Sequence, residues 1–156
     1  MSMKFDECVL SVNEAAKVTD ASLKQVHRII DAGLLGDGAR REKGSWVILG
    51  KALVGLKFAH ETTDMLTLKG RAGFIRRLLD NPETRTVREY AVSINVRTMK
   101  SNVRRRLTAL EKAKRMVTVD GDVLNDTPCL RGTRVAVHDI AEMMANGDSV
   151  PAILAA

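Results

Sequence analysis

Aromatic side chains are scarce in this chain: one Trp, one Tyr and three Phe make up 3% of its 156 residues. A core must therefore be built from Val, Leu, Ile, Ala and Met, which suits packed helices better than a sandwich of strands. Cysteine is almost as rare, with only Cys8 and Cys129. Neither sits in a CxxC pair, so neither a zinc site nor a disulfide framework is expected. No apolar run approaches the roughly 18 residues of a membrane span. The opening MSMKFDECVL is interrupted by Lys4, Asp6 and Glu7, unlike a secretory leader. The reading is a cytoplasmic protein with free thiols and no membrane partner. Chemistry-bearing motifs are missing too. His27, His60 and His138 have no ligand spacing, and neither a GxxxxGKS/T phosphate loop nor a GxSxG elbow occurs. Asp120, Asp122 and Asp126 read as a solvated hinge rather than a cation loop. No enzyme activity, cofactor or metal is expected.

What is abundant is positive charge in one place. Residues 1–50 carry seven basic and seven acidic groups. Residues 51–116 carry sixteen basic and six acidic, a local +10, and residues 117–156 carry two basic and six acidic, a local −4. A basic middle between a neutral and an acidic segment suits a polyanion-binding chain, with a solvated helical surface as the alternative.

The first segment has clear punctuation. In LSVNEAAKV, Ser11 precedes an apolar-periodic run and Glu14 follows three residues later, a capping box. ASLKQVHRIIDAGLL repeats the device with Ser22 and Gln25 and stops at Gly33. Two short helices joined at Thr19, Asp20 and Ala21 form a helix-turn-helix candidate. Wound at about 100° per residue, the second places Val26, Ile29 and Ile30 on one side with Leu23 at its edge. Lys24, His27, Arg28 and Asp31 fall opposite, with Gln25 beside them. That face carries long donors suited to phosphates or base edges. Next, LLGDGARREKGSWVIL offers a Gly/Asp turn, a basic tip at Arg40, Arg41 and Lys43, and a β-like run. It reads as a wing hairpin lying along a phosphate backbone, or as an ordinary surface hairpin. Candidate DNA contacts are thus Ser22, Lys24, Gln25, His27, Arg28, Arg40, Arg41 and Lys43. The helix pair plus hairpin, over about the first 50 residues, resembles the winged helix-turn-helix of MerR-like and excisionase-like proteins. That resemblance implies a second helix in the major groove and a wing on the backbone.

Residues 51–80 read as two helices, KALVGLKFAHET and TLKGRAGFIRRLLDNPE, weakened by Gly55, Gly70 and Gly73 and ended by Asn81-Pro82. REYAVSINV is the next strand candidate. RTMKSNVRRRLTALEKAKRMV forms a long amphipathic helix, with Met99, Val103, Leu107 and Leu110 in one stripe. Arg97, Arg104, Arg105, Lys112 and Arg115 point elsewhere, as a second phosphate-binding surface or as a solvated or dimer-forming face.

After the polar hinge VTVDGDVLNDT comes TPCLRGTRVAVHDIAEMMANGDSVPAILAA. Gly132 permits backbone geometry other residues resist, and Arg131 and Arg134 can fork onto carbonyls or carboxylates. A strand-like VAV leads into a helix with Ile140, Met143 and Met144 inward, stopped at Gly147. His138 opens that helix and is expected to order the turn after Arg134. Ser149 then caps a second helix. Pro128, Arg131, Gly132, Thr133, Arg134, Val137 and Gly147 stand where they do in a small domain, long catalogued as of unknown function, that forms the C-terminal part of VapB-type antitoxins. Asn125, Asp126 and Thr127 replace the glycines that usually precede the proline, and the expected Tyr-Pro turn and further helix do not follow Ala156, so the domain is read as incomplete.

The fold expected is mainly α with a small β component: a MerR-like winged helix-turn-helix over 1–50, a basic helical middle region or linker over 51–116, and the start of the antitoxin domain over 117–156. The resemblance implies an antitoxin of a type II toxin–antitoxin pair, which binds its toxin, often a PIN-like ribonuclease in that family, and represses its own operon on double-stranded operator DNA as a homodimer. The alternatives are a stand-alone MerR- or excisionase-like transcriptional regulator and a protein-interaction module that never touches DNA.

Overall fold

The two capping boxes form as the sequence dictates. The Ser11 hydroxyl accepts from the Glu14 amide while the Glu14 carboxylate accepts from the Ser11 amide, and Ser22 and Gln25 do the same. They open α1 (Val12–Thr19) and α2 (Leu23–Asp31). Between them the chain turns at Asp20, whose φ of 63° is left-handed. The structure, a computed structural model, describes residues 5–122 and 124–156. Lys4 of the opening stretch and Val123 of the hinge lie outside the described residues.

Strand β1 (Val9–Ser11) leads into α1, and β2 (Ala39–Glu42) and β3 (Ser45–Leu49) form the expected hairpin. The three make an antiparallel sheet in the order β1-β3-β2, with Leu10 opposite Ile48 and Arg41 opposite Trp46. Lys43 and Gly44 turn the hairpin, both at positive φ (48° and 83°). Two such residues match the twist of the flanking strands, and glycine at the second removes the strain there. Gly50, just after β3, answers a different need. A Cβ there would fall 1.9 Å from the Phe5 carbonyl oxygen and 2.6 Å from the Cys8 sulfur.

The basic middle of the sequence contributes much of the packing. α3 (Leu53–Glu61) buries every residue from Leu53 to Ala59 and packs against both α1 and α2. α4 (Leu68–Asp80) lies on α3, with Phe74 against Phe58 at 5.5 Å between ring centroids. Such tilted aromatic pairs add about 0.5–1.5 kcal/mol beyond area burial. The buried ammonium of Lys57 donates to the Thr19 carbonyl at 3.3 Å and pairs with Glu61 at 2.7 Å. It thereby satisfies a carbonyl at the open end of α1. Gly55 allows Ile75 to approach within 3.1 Å of where a Cβ would stand, so this helical glycine has a packing reason.

REYAVSINV, expected as one strand, is the greater part of a hairpin. β4 (Thr86–Glu89) and β5 (Val92–Asn95) pair around Tyr90 and Ala91, with Tyr90 at φ 53°. Pairing the two halves gives their backbone groups partners that a lone strand lacks. The long helix α5 (Arg97–Arg115) forms as expected, with Val103 and Leu107 buried and Met99 and Leu110 half-buried.

The chain divides into two compact units, one through Thr108 and the other from Ala109 to Ala156, and α5 runs through the boundary. In the second unit, β6 (Val117–Thr118) pairs with β7 (Cys129–Leu130), and α6 (Val137–Ala145) and α7 (Val150–Ala155) follow. Gly147, at φ 89°, terminates α6, and the Ser149 hydroxyl caps α7 by accepting from the Ala152 amide. Two local expectations are corrected. VAV is not a strand: Ala136 makes a single bridge to Cys129, and Val137 already begins α6, its amide donating to the Pro128 carbonyl. Met144 does not point inward: it is 59% exposed, and α6 buries none of its residues fully. The protein is mainly α-helical with a small β component.

Candidate nucleic-acid interface

The second helix of the capped pair sorts its side chains by environment. Val26, Ile29 and Ile30 are buried, whereas Lys24, His27, Arg28 and Asp31 are exposed. None of these four has a side-chain hydrogen bond or ion pair within the described residues. Ser22 and Gln25 stand differently. The Ser22 hydroxyl oxygen and the Gln25 amide oxygen both accept within the capping box, which leaves the Ser22 O–H and the Gln25 side-chain nitrogen to donate outward. Leu23, read as the edge of the apolar side, is 47% exposed.

In the β2–β3 hairpin the three basic residues also divide. Arg40 pairs with Glu42, with Nε donating to Oε1 at 2.8 Å. Arg41 lies over the Trp46 ring, 5.0 Å from its centroid, and donates to the Gly44 carbonyl at 3.3 Å. Lys43, at the tip, has no partner within the described residues. Arg40 must exchange a carboxylate to reach a phosphate, whereas Lys43 need not. Both the exposed side of α2 and this hairpin are held on α1, which contacts α2, β1 and β3. At the base of the hairpin Lys51 bonds the Asp37 carboxylate at 2.7 Å, and this hydrogen bond, with the charge behind it, holds Asp37 below its usual carboxylate range.

One anchoring residue escaped the sequence reading. Arg106 of α5 donates to the Lys17 carbonyl at 3.0 Å and pairs with Asp20 at 3.3 Å, pinning the left-handed turn between α1 and α2. Nothing local could reveal a contact between residues 86 positions apart. Two residues earlier on α5, Arg104 reaches Glu83 at 3.5 Å and lies over the Phe5 ring. Burial pushes the Lys100 ammonium below its ordinary range, against the opposing pull of Glu83. Near the start of α5, Arg97, Thr98, Ser101, Asn102 and Arg105 line a cleft of about 370 Å³.

The C-terminal motif residues have mixed roles. Gly132 adopts φ 77° with open space around it. The Thr133 hydroxyl is structural: it donates to the Leu130 carbonyl at 2.9 Å and accepts from the Val135 amide at 3.1 Å. Pro128 supplies the carbonyl that receives Val137. Arg131 and Arg134 are exposed, and neither guanidinium forks onto a carbonyl or carboxylate among the described residues. His138 turns to Asp139, 3.0 Å away, rather than to Arg134. Among the described residues no group of His, Cys, Asp or Glu is arranged to hold a metal, and no helix is long and apolar enough to cross a membrane.

Comparison with known proteins adds a family. Residues 117–156 match the family model described as a protein of unknown function, DUF433. The chain is also 32% identical over 162 aligned residues to "Uncharacterized protein y4eO" of Sinorhizobium fredii, covering 95% of this chain and 73% of that protein. No solved structure matches. The chain therefore belongs to the same family as the Sinorhizobium fredii protein y4eO, and its acidic C-terminal unit carries the DUF433 segment.

Proposed function

We propose that this protein is a DNA-binding regulator of the antitoxin type: a MerR-like winged helix-turn-helix head that recognises operator duplex, joined to a VapB-like C-terminal segment that binds a toxin protein. The observation that carries the reading is the exposed side of α2, where Lys24, His27 and Arg28 stand free of partners above a buried apolar side. A helix of this width, presenting unspent donors, fits the major groove. The β2–β3 hairpin, with Lys43 at its tip, fits the phosphate backbone beside it. Operator symmetry makes a homodimer the expected binding form. The toxin-binding half is supported by the C-terminal resemblance and by side chains left uncovered in the second unit: Met144, Val150 and Leu154 are 59%, 60% and 83% exposed. The unit's acidic balance suits a basic partner such as a PIN-like ribonuclease. The protein acts in the cytoplasm, where both partners reside.

Arg28→Ala tests the DNA half. In a gel-shift titration on the duplex upstream of its own gene, affinity falls by about 1–3 kcal/mol and sequence preference relaxes. Lys43→Ala instead weakens all sequences alike and flattens the salt dependence by about one phosphate. Unchanged binding in both variants overturns the docking. Co-expression with the adjacent gene product tests the other half: growth rescue and copurification are expected, and failure of both rejects it.

A further inference from the structure

We infer that the cleft at the start of α5 holds backbone phosphates of duplex DNA between Arg97 and Arg105, a second DNA contact besides α2. The inference rests on the proposal that the protein binds duplex DNA, and on nothing about which bases α2 reads.

Arg97, Ser101 and Arg105 recur every four residues and so share one side of the helix, each about 6 Å along the axis from the next. Ser101 between them is short, and Thr98, Ser101 and Asn102 complete the lining of the cleft between the two arginines. The helix disposes of its other cations elsewhere. Arg104 is directed to Glu83 and Arg106 to Asp20, and Lys100 is partly buried. Arg97 and Arg105 pair with no carboxylate among the described residues, and no acid lines the cleft. Two unspent planar forks lining one cleft of mixed polarity can match the oxygens of a phosphate. The first turns of α5 add the positive end of the helix dipole.

Size and composition select the ligand. At about 370 Å³ the cleft is far larger than a lone phosphate ion and open to solvent, which suits a phosphodiester with its flanking sugars. It has no aromatic wall on which a free nucleotide base could stack. It also lacks the exposed Trp, Phe or Leu with which an interfacial helix enters a lipid surface.

The test is a gel-shift titration of the full chain over a salt series, on the duplex upstream of its own gene and on a random duplex. Arg97→Gln with Arg105→Gln is expected to weaken both by the same factor and to flatten the slope of log affinity against log salt by about 2, since each neutralised phosphate contributes about 0.9. Arg97→Lys with Arg105→Lys keeps the charges and restores most of that slope. Should the double glutamine variant melt early, each single glutamine variant is expected to flatten the slope by about 1. Unchanged slopes in a folded variant overturn the inference, as does a change confined to the upstream duplex, because backbone phosphates are common to all sequences. Arg28→Ala separates this result from the α2 reading. Lost sequence preference there, with normal slopes in the glutamine variants, sinks the α5 contact alone. The opposite pattern sinks the α2 reading and leaves α5 as a sequence-independent contact. A wild-type chain that binds neither duplex overturns both.

Discussion

The two units differ in how they use apolar side chains. Up to Thr108, Leu10, Val18, Leu35, Ile48, Leu53, Leu56, Phe58, Ile75 and Val103 are all less than 2% exposed. From Ala109 onward, among the described residues, only Cys129 and Ala136 of the apolar set are buried, and α6 and α7 bury none. The first unit is held by its own interior, where each fully covered aliphatic side chain contributes about 1.5–3 kcal/mol. The second is shaped chiefly by backbone pairing, caps and turns. A segment whose geometry is set locally while its apolar surface stays uncovered gains its burial when a partner arrives, at the cost of ordering on binding. On the proposed reading, that contrast suits a head that folds on its own interior and a tail that is completed by a bound protein.

The sharpest way to break the comparison is truncation of one leucine from each unit. Leu56→Ala is expected to cost about 2–5 kcal/mol in urea unfolding, and Leu154→Ala to stay within about 0.5 kcal/mol. Equal costs would mean that the second unit has an interior after all. The caps give a smaller effect. Ser11→Ala should lower the stability of the first unit by about 1 kcal/mol. Ser149→Ala should leave the main transition in place and register only as faster amide exchange in α7. The smallest effect concerns Asp37. Its depressed folded-state value means that the Lys51 pair stabilises above the ordinary 3.8 and that this contribution is lost as pH falls through the lower folded value. Asp37→Asn should lower the urea midpoint slightly at neutral pH and move it less near pH 3, so that the gap between the two midpoints narrows.

What the sequence revealed was local chemistry. Both capping boxes, the two sides of α2, the Gly147 stop and the buried stripe of α5 depend on residues within a turn or two of one another, so spacing alone exposes them. What it concealed was decided at a distance or by an unusual residue. The β4–β5 hairpin turns at Tyr90-Ala91, a pair without the Gly, Asn or Asp that marks such turns. α3 is apolar nearly all round, so its pattern has no side to read, and the burial of Lys57 follows from a carbonyl on α1. At the candidate interface, exposure of Lys24, His27 and Arg28 was legible from helical period. The commitment of Arg40 to Glu42, of Arg41 to Trp46 and of Arg106 to Asp20 was not, because guanidinium partners are chosen by the folded surface.

The scarcity of aromatics gives the two hairpins separate optical signatures. The single tryptophan, Trp46, lies under Arg41 in the first, and the single tyrosine, Tyr90, stands 88% exposed at the turn of the second. Unmodified protein thus carries one intrinsic fluorophore per hairpin, so quenching near 350 nm or near 305 nm (roughly the emission of each ring) would tell which one a ligand touches first.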